Sequence, residues 1–171
     1  MLGYIVKFFK ALNSNSKPGE IAHAFCIGVL LGFMPKGNLL WILMFVLFSF
    51  IRINKGSYYI MMIIASCFAY LLDPLFNTIG YAVLTWAPLE KIFAFLIDVP
   101  FVGFTKFNNT IVMGSLVSSI VVYIPLFILF RVLIGAWRKV VAPAIMKLPI
   151  VKAISTLPLV KKIASLADDM I

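Results

Sequence analysis

The chain has 171 residues, 63% of them hydrophobic and 12% charged, with a formal net charge of +9 and a mean hydropathy of +1.09. A soluble domain carries roughly twice that share of charged residues, so the composition excludes an ordinary water-facing globule and points to an all-α integral membrane protein. The length fits one domain and leaves no room for a large catalytic domain outside the lipid.

Residues 1–15 read as an amphipathic interfacial helix. Leu2, Ile5, Val6, Phe8, Phe9 and Leu12 fall mainly on one side, with Lys7 and Lys10 on the other, which suits a helix lying at a membrane surface. The stretch lacks the pattern of a cleaved signal peptide. A polar loop ends it, and Ser16 followed by Pro18 predicts the next helix start.

Residues 16–88 form the predicted membrane core, two apolar units each broken by a polar interruption. The first, Ile21 to Ile51, is cut at Met34-Pro35-Lys36-Gly37-Asn38 and leaves arms of 14 and 13 residues. A span needs about 20 residues, so the arms make a hairpin that dips in and returns, or two short spans that thin the bilayer. Arg52 and Lys55 close this unit in a polar turn. The second, Ser57 to Trp86, is interrupted at Leu72-Asp73-Pro74 and reads as another hairpin or as one tilted, broken crossing. Interrupted helices at membrane depth are tolerated where they are buried in protein or line a polar cavity, and many transporters build their sites there.

Residues 89–108 mix Phe93, Phe95, Phe101 and Phe104 with Glu90, Lys91, Asp98 and Lys106 and read as an interfacial segment. Residues 109–137 are expected to be the one clear transmembrane helix, since Phe107 to Phe130 runs 24 residues without a charge. Pro125 is placed to kink it. Residues 138–171 form a basic amphipathic tail in which Leu148 to Ser155 is echoed by Leu157 to Ala164, predicting two short helices with proline in the first turn.

Lys and Arg favour the cytoplasmic side. Lys7, Lys10, Lys17, Arg52, Lys55 and the lysines of the tail therefore predict cytoplasmic termini on a multi-pass inner-membrane protein, with one crossing between Ser57 and Trp86. A pair of re-entrant hairpins would put the tail outside instead.

Nothing resembles a catalytic constellation, a metal-ligand cluster or a cofactor motif, so neither enzymatic activity nor a cofactor is expected. Ionisable and polar groups at membrane depth are the functional candidates. These are Lys36 and Asn38 in the first break, Arg52 and Lys55 in the turn, and Asp73 at the second break, where it could bind a cation or proton or pair with Arg52 or Lys36. The corresponding ordinary roles are a snorkelling loop lysine and a cap or kink aspartate. His23 could serve a proton relay or simply bond a neighbour. Ala24, Gly28 and Gly32 form a small-residue stripe for helix packing, within the chain or in a homo-oligomer. Pro35, Gly37, Pro74 and Pro125 mark the breaks and kinks, and Cys26 and Cys67 read as small core residues.

Ser16-Lys17-Pro18, Gly28-Val29-Leu30-Leu31-Gly32-Phe33-Met34-Pro35 and Arg52-Ile53-Asn54-Lys55 together resemble the signature of a bacterial inner-membrane family catalogued as a domain of unknown function. The family pattern is a glycine-spaced helix ending Gly-Phe-x-Pro, followed by an Arg-x-Asn-Lys turn. The likeness runs from about Ser16 to Leu84, and the family's Asn-Pro is here Asp73-Pro74. Some members look like companions of AsmA-like lipid-transport bridge proteins. The resemblance implies a non-catalytic subunit of an envelope lipid-handling assembly, binding phospholipid and docking a larger envelope protein. The alternatives are a small ion- or proton-coupled transporter or channel using the broken helices, and a structural membrane anchor. Nucleic acid is not an expected partner, because the basic residues flank apolar segments.

Overall fold

The computed structural model describes residues 17–141 and Pro143. The predicted amino-terminal amphipathic helix and the repeated tail segments lie outside the described residues. The described residues are helical, without strands, and form six α-helices: α1 (Pro18–Phe33), α2 (Leu39–Phe50), α3 (Lys55–Leu84), α4 (Ala87–Asp98), α5 (Thr110–Val121) and α6 (Tyr123–Ala136). A 3-10 turn, Val102–Thr105, lies between α4 and α5, and a π-turn, Trp137–Val141, follows α6.

Helix α1 starts where Pro18 sets the backbone for a first turn that needs no donor. Lys17 occupies the cap position and makes no side-chain bond there, so the predicted cap at Ser16 is one residue early. α1 is almost wholly buried from Ile21 to Gly32. Gly28 lies against Tyr58 and Met61, and Gly32 against Met62, Ala65 and Ser66. Rising numbers meet rising numbers, so α1 and α3 run in the same direction. A Cβ on Gly28 would come within 2.7 Å of the Tyr58 carbonyl oxygen, and one on Gly32 within 2.7 Å of that of Met62. Small residues let two backbones approach this closely.

The opposite pairing holds α3 to α5. A Cβ on Gly80 would collide with the Thr110 carbonyl, and one on Gly114 with the Phe76 carbonyl. The two helices therefore cross antiparallel, backbone on backbone. The Thr110 hydroxyl donates to Asn77 Oδ1 beside the crossing. α6 then returns along α1: Phe25 meets Phe130 edge-on at 5.3 Å, and Ile134 is buried with Ile21 and Ala22.

Three expectations are corrected. The second unit is not broken: α3 runs 30 residues through Pro74 without interruption. Proline removes one donor from the helical ladder, whereas opening the helix would strand several backbone groups. Packing on α1 below Pro74 and on α5 above it holds both halves in line. The predicted single span over 109–137 is instead α5 and α6, bent by 55° at Val122. Pro125 causes the bend but sits in the first turn of α6, where its missing N–H costs nothing, and its ring excludes a helical carbonyl at Val121. Among the described residues, the one helix long and apolar enough to cross a membrane alone is α3; the bent pair also qualifies if counted as one span. Finally, Cys26 is buried but Cys67 is exposed, because it lies off the stripe of α3 that carries Tyr58, Met62 and Ala65.

Candidate functional site

The first break is real, and its polar residues bind the chain to itself. α1 ends with its last carbonyls lacking helical partners. Met34 N–H donates to Leu30 O at 3.3 Å, Trp41 Nε1 to Leu31 O at 2.9 Å, and Lys36 Nζ to Gly32 O at 3.3 Å. Gly37 supplies the left-handed residue of the turn, with φ +82°, a conformation that costs glycine nothing. Asn38 then caps α2: its Oδ1 accepts from Trp41 N–H at 2.8 Å, while its Nδ2 donates to Pro35 O at 2.6 Å. Asn38 is 4% exposed and both ends of its amide are engaged. It is a cap closing the break, with no polar atom to spare for a ligand.

Lys36 is different. It is exposed, and Nζ reaches across to α3 to donate to Ser66 Oγ at 2.8 Å; that hydroxyl donates in turn to Met62 O at 2.6 Å. Both acceptors of the ammonium are neutral, and no carboxylate among the described residues pairs with it. Ser66 lies 11 residues into α3, about 16 Å along a helix about 45 Å long. The tip of the α1–α2 hairpin therefore stops roughly a third of the way up α3.

The Arg-x-Asn-Lys turn divides its work. Asn54 Oδ1 accepts from Ser57 N–H at 2.9 Å and caps α3. Lys55 Nζ donates to Ser49 O at 2.6 Å, Ile51 O at 2.7 Å and Phe48 O at 3.3 Å, so a cation sits on the negative end of α2. Arg52 is exposed and has no hydrogen-bond or ionic partner among the described residues.

Asp73 is half-buried in the middle of α3, three residues before the buried Phe76 on the same face. It pairs with neither Lys36 nor Arg52. The buried hydroxyls of Ser118 and Ser119 on α5 have no partner among the described residues. His23 Nδ1 shares a hydrogen bond with the Tyr123 hydroxyl at 3.0 Å and stacks on Phe127. Among the described residues no three His, Cys, Asp or Glu side chains gather as a metal site would need. Ala24 is buried with Tyr58, continuing the stripe of Gly28 and Gly32.

The lysine of the break, the cap Asn38 and the glycine seam together are the chain's distinctive polar and packing features. An uncharacterized protein of Treponema pallidum (strain Nichols) is 31% identical over 145 residues, covering 85% of this chain and 90% of that one. The chain belongs to that protein's family. No family model matches it, and no solved structure matches it significantly. The Gly80–Gly114 crossing leaves no pattern in the sequence. Gly114 is alone in α5 and Gly80 stands 24 residues from Gly56 in α3, so neither belongs to a spaced stripe, and only the fold brings the two together.

Proposed function

We propose that the chain is a multi-pass protein of the bacterial inner membrane that handles anionic lipid as a non-catalytic subunit of an envelope assembly. Membrane residence is supported by what the helices leave uncovered. α2 buries no residue and presents Ile42, Leu43, Val46, Leu47 and Phe50 outward. Only 11% of the most apolar window of α3 is buried within the protein, whereas the core helix of a soluble domain is covered. An apolar surface of this extent needs lipid or protein against it.

The observation that carries the lipid reading is Lys36. With α3 spanning a hydrocarbon core of about 30 Å, the hairpin tip stands about a third of the way across, inside the hydrocarbon, and holds an exposed ammonium with only neutral partners. A charge there is expensive unless it is paired, and the anion a bilayer supplies is a phosphate head group. The helix directions agree with cytoplasmic termini: Lys17 and the Arg52–Lys55 turn lie at the end of the bundle to which α6 returns with Arg138 and Lys139. In that arrangement α1–α2 is re-entrant, α3 crosses, and α5–α6 crosses back. The larger partner, AsmA-like by the sequence resemblance, would dock on this core.

Gentle-detergent purification at native expression, with mass spectrometry of copurifying protein and lipid, tests the reading. Bound phosphatidylglycerol or cardiolipin with a large envelope protein is expected, and Lys36→Ala should lose the anionic lipid while Lys36→Arg keeps it. Recovery of the chain alone, with no lipid selectivity, would contradict it.

One observation favours the second reading, an ion- or proton-coupled transporter. Among the described residues the Asp73 carboxylate, a little past the midpoint of α3, has no partner, nor do the Ser118 and Ser119 hydroxyls on α5. Asp73→Asn should then abolish coupled flux while leaving assembly intact.

A further inference from the structure

The segment between α3 and α5 carries no part of the reading above, and its placement is informative. α3 ends at Leu84, about 27 Å beyond Ser66 by helical rise. α2 begins at the hairpin tip beside Ser66 and runs from there back toward the start of α3, so all of it lies on the near side of that level. Yet the 3-10 turn Val102–Thr105, which follows α4, packs against α2. The chain must come back over most of that distance to reach it. The 12 residues of α4 supply about 18 Å of it. The return is equally direct: Phe107 lies beside Phe93 of α4 with ring centroids 6.0 Å apart, and Thr110 is already at Gly80 near the far end of α3.

Two further features mark this segment. Phe101 and Lys106, which bracket the 3-10 turn, both adopt left-handed backbone, with φ 68° and 53°. That region is unfavourable for side-chain-bearing residues, and such strain collects at clamps and switches. Neither α4 nor the 3-10 turn contributes a single buried residue, which places the segment at the low-stability end of the molecule. By contrast α1, against which the first break is anchored, is buried along most of its length.

We propose that α4 and the 3-10 turn form a second hairpin, entering from the end opposite the first, and that this hairpin is a gate seated over the α1–α2 break. Seated, it covers the start of α2. Lifted, it uncovers the start of α2 beside the break and so joins the already exposed Lys36 to the far side of the molecule. The two hairpins thus divide access: the first brings a cation about a third of the way along α3 from the basic end, and the second controls approach from the other. The purpose of the gate rests on Lys36 as a head-group site, but its existence does not.

The test uses the full chain in phospholipid nanodiscs, with Cys67→Ala to remove the exposed thiol. Val102→Cys or Thr105→Cys is combined in turn with Leu39→Cys, Leu40→Cys and Leu43→Cys. At least one pair should form a disulfide under mild oxidation, and that disulfide should slow amide hydrogen exchange over residues 38–41 about tenfold or more, reversibly on reduction. Without any cross-link, Phe101→Gly with Lys106→Gly should also slow that exchange, by about fivefold, because glycine relieves the strain of the seated turn. Failure of every pair to cross-link, or a locked turn with unchanged exchange over residues 38–41, would overturn the gate. Exchange does not depend on lipid selectivity, so loss of the lipid reading would leave this result standing.

Discussion

Two prolines, Pro35 and Pro74, sit in similar polar interruptions of apolar sequence, and the chain treats them in opposite ways. At Pro35 the helix stops, because the surrounding side chains satisfy both new ends: Lys36 and Trp41 take the orphan carbonyls of α1, and Asn38 caps α2. At Pro74 no such set exists. Leu75 and Phe76 follow, the Thr78 hydroxyl donates to Pro74 O at 3.0 Å from within the helix, and α3 continues. A proline permits a break; the neighbouring donors and acceptors decide whether one forms, and away from water that decision is severe.

The comparison can be broken most forcefully at the glycine crossing that holds α3 beyond Pro74. Gly114→Val drives a side chain into the Phe76 carbonyl, and a loss of about 3 kcal/mol or more is expected from overpacking against backbone, read as failure to accumulate or as a large fall in thermal midpoint in detergent. Next comes Asn38→Ala, which removes the cap that makes the first break viable. It should cost about 1–2 kcal/mol and raise amide exchange at Trp41 specifically. Lys55→Met leaves two carbonyls of α2 and that of its cap Ile51 without their cation; a smaller loss, about 1 kcal/mol, is expected, with fraying confined to the end of α2. The opposite sign is predicted at Pro74→Ala. In a helix that is already continuous, alanine restores a donor to the Tyr70 carbonyl and removes the ring clash, so a gain of about 1–3 kcal/mol with function unchanged is expected, whereas a loss of stability or of function would mean that the helix opens there.

The first break was legible because its chemistry is local. Proline, a glycine suited to positive φ and an asparagine cap lie within four residues, and both flanking arms are too short to cross. Asn54 and Lys55 were likewise visible as a turn, although the grip of Lys55 on α2 was not. The continuity of α3 was hidden because it depends on α1 and α5, which pack on it from distant parts of the chain. The bend near Pro125 was anticipated as a kink but falls at Val122, since a proline breaks the turn before itself. The return of α4 onto α2 had no signal at all: its aromatic and charged residues look the same on a membrane surface as in a hairpin seated on another helix.

The central claim is that α1–α2 is a re-entrant hairpin whose tip, with Lys36, stands inside the hydrocarbon about a third of the way across a bilayer. Spin labels placed singly at Leu43, Leu47 and Phe50, on the exposed face of α2, test it directly through their relative access to oxygen and to a water-soluble relaxation agent in phospholipid vesicles. The account predicts the deepest signal at Leu43 and a steady approach to the surface through Leu47 to Phe50, on the same side as Arg138. A label at Leu43 as shallow as that at Phe50, or all three in water, would contradict it.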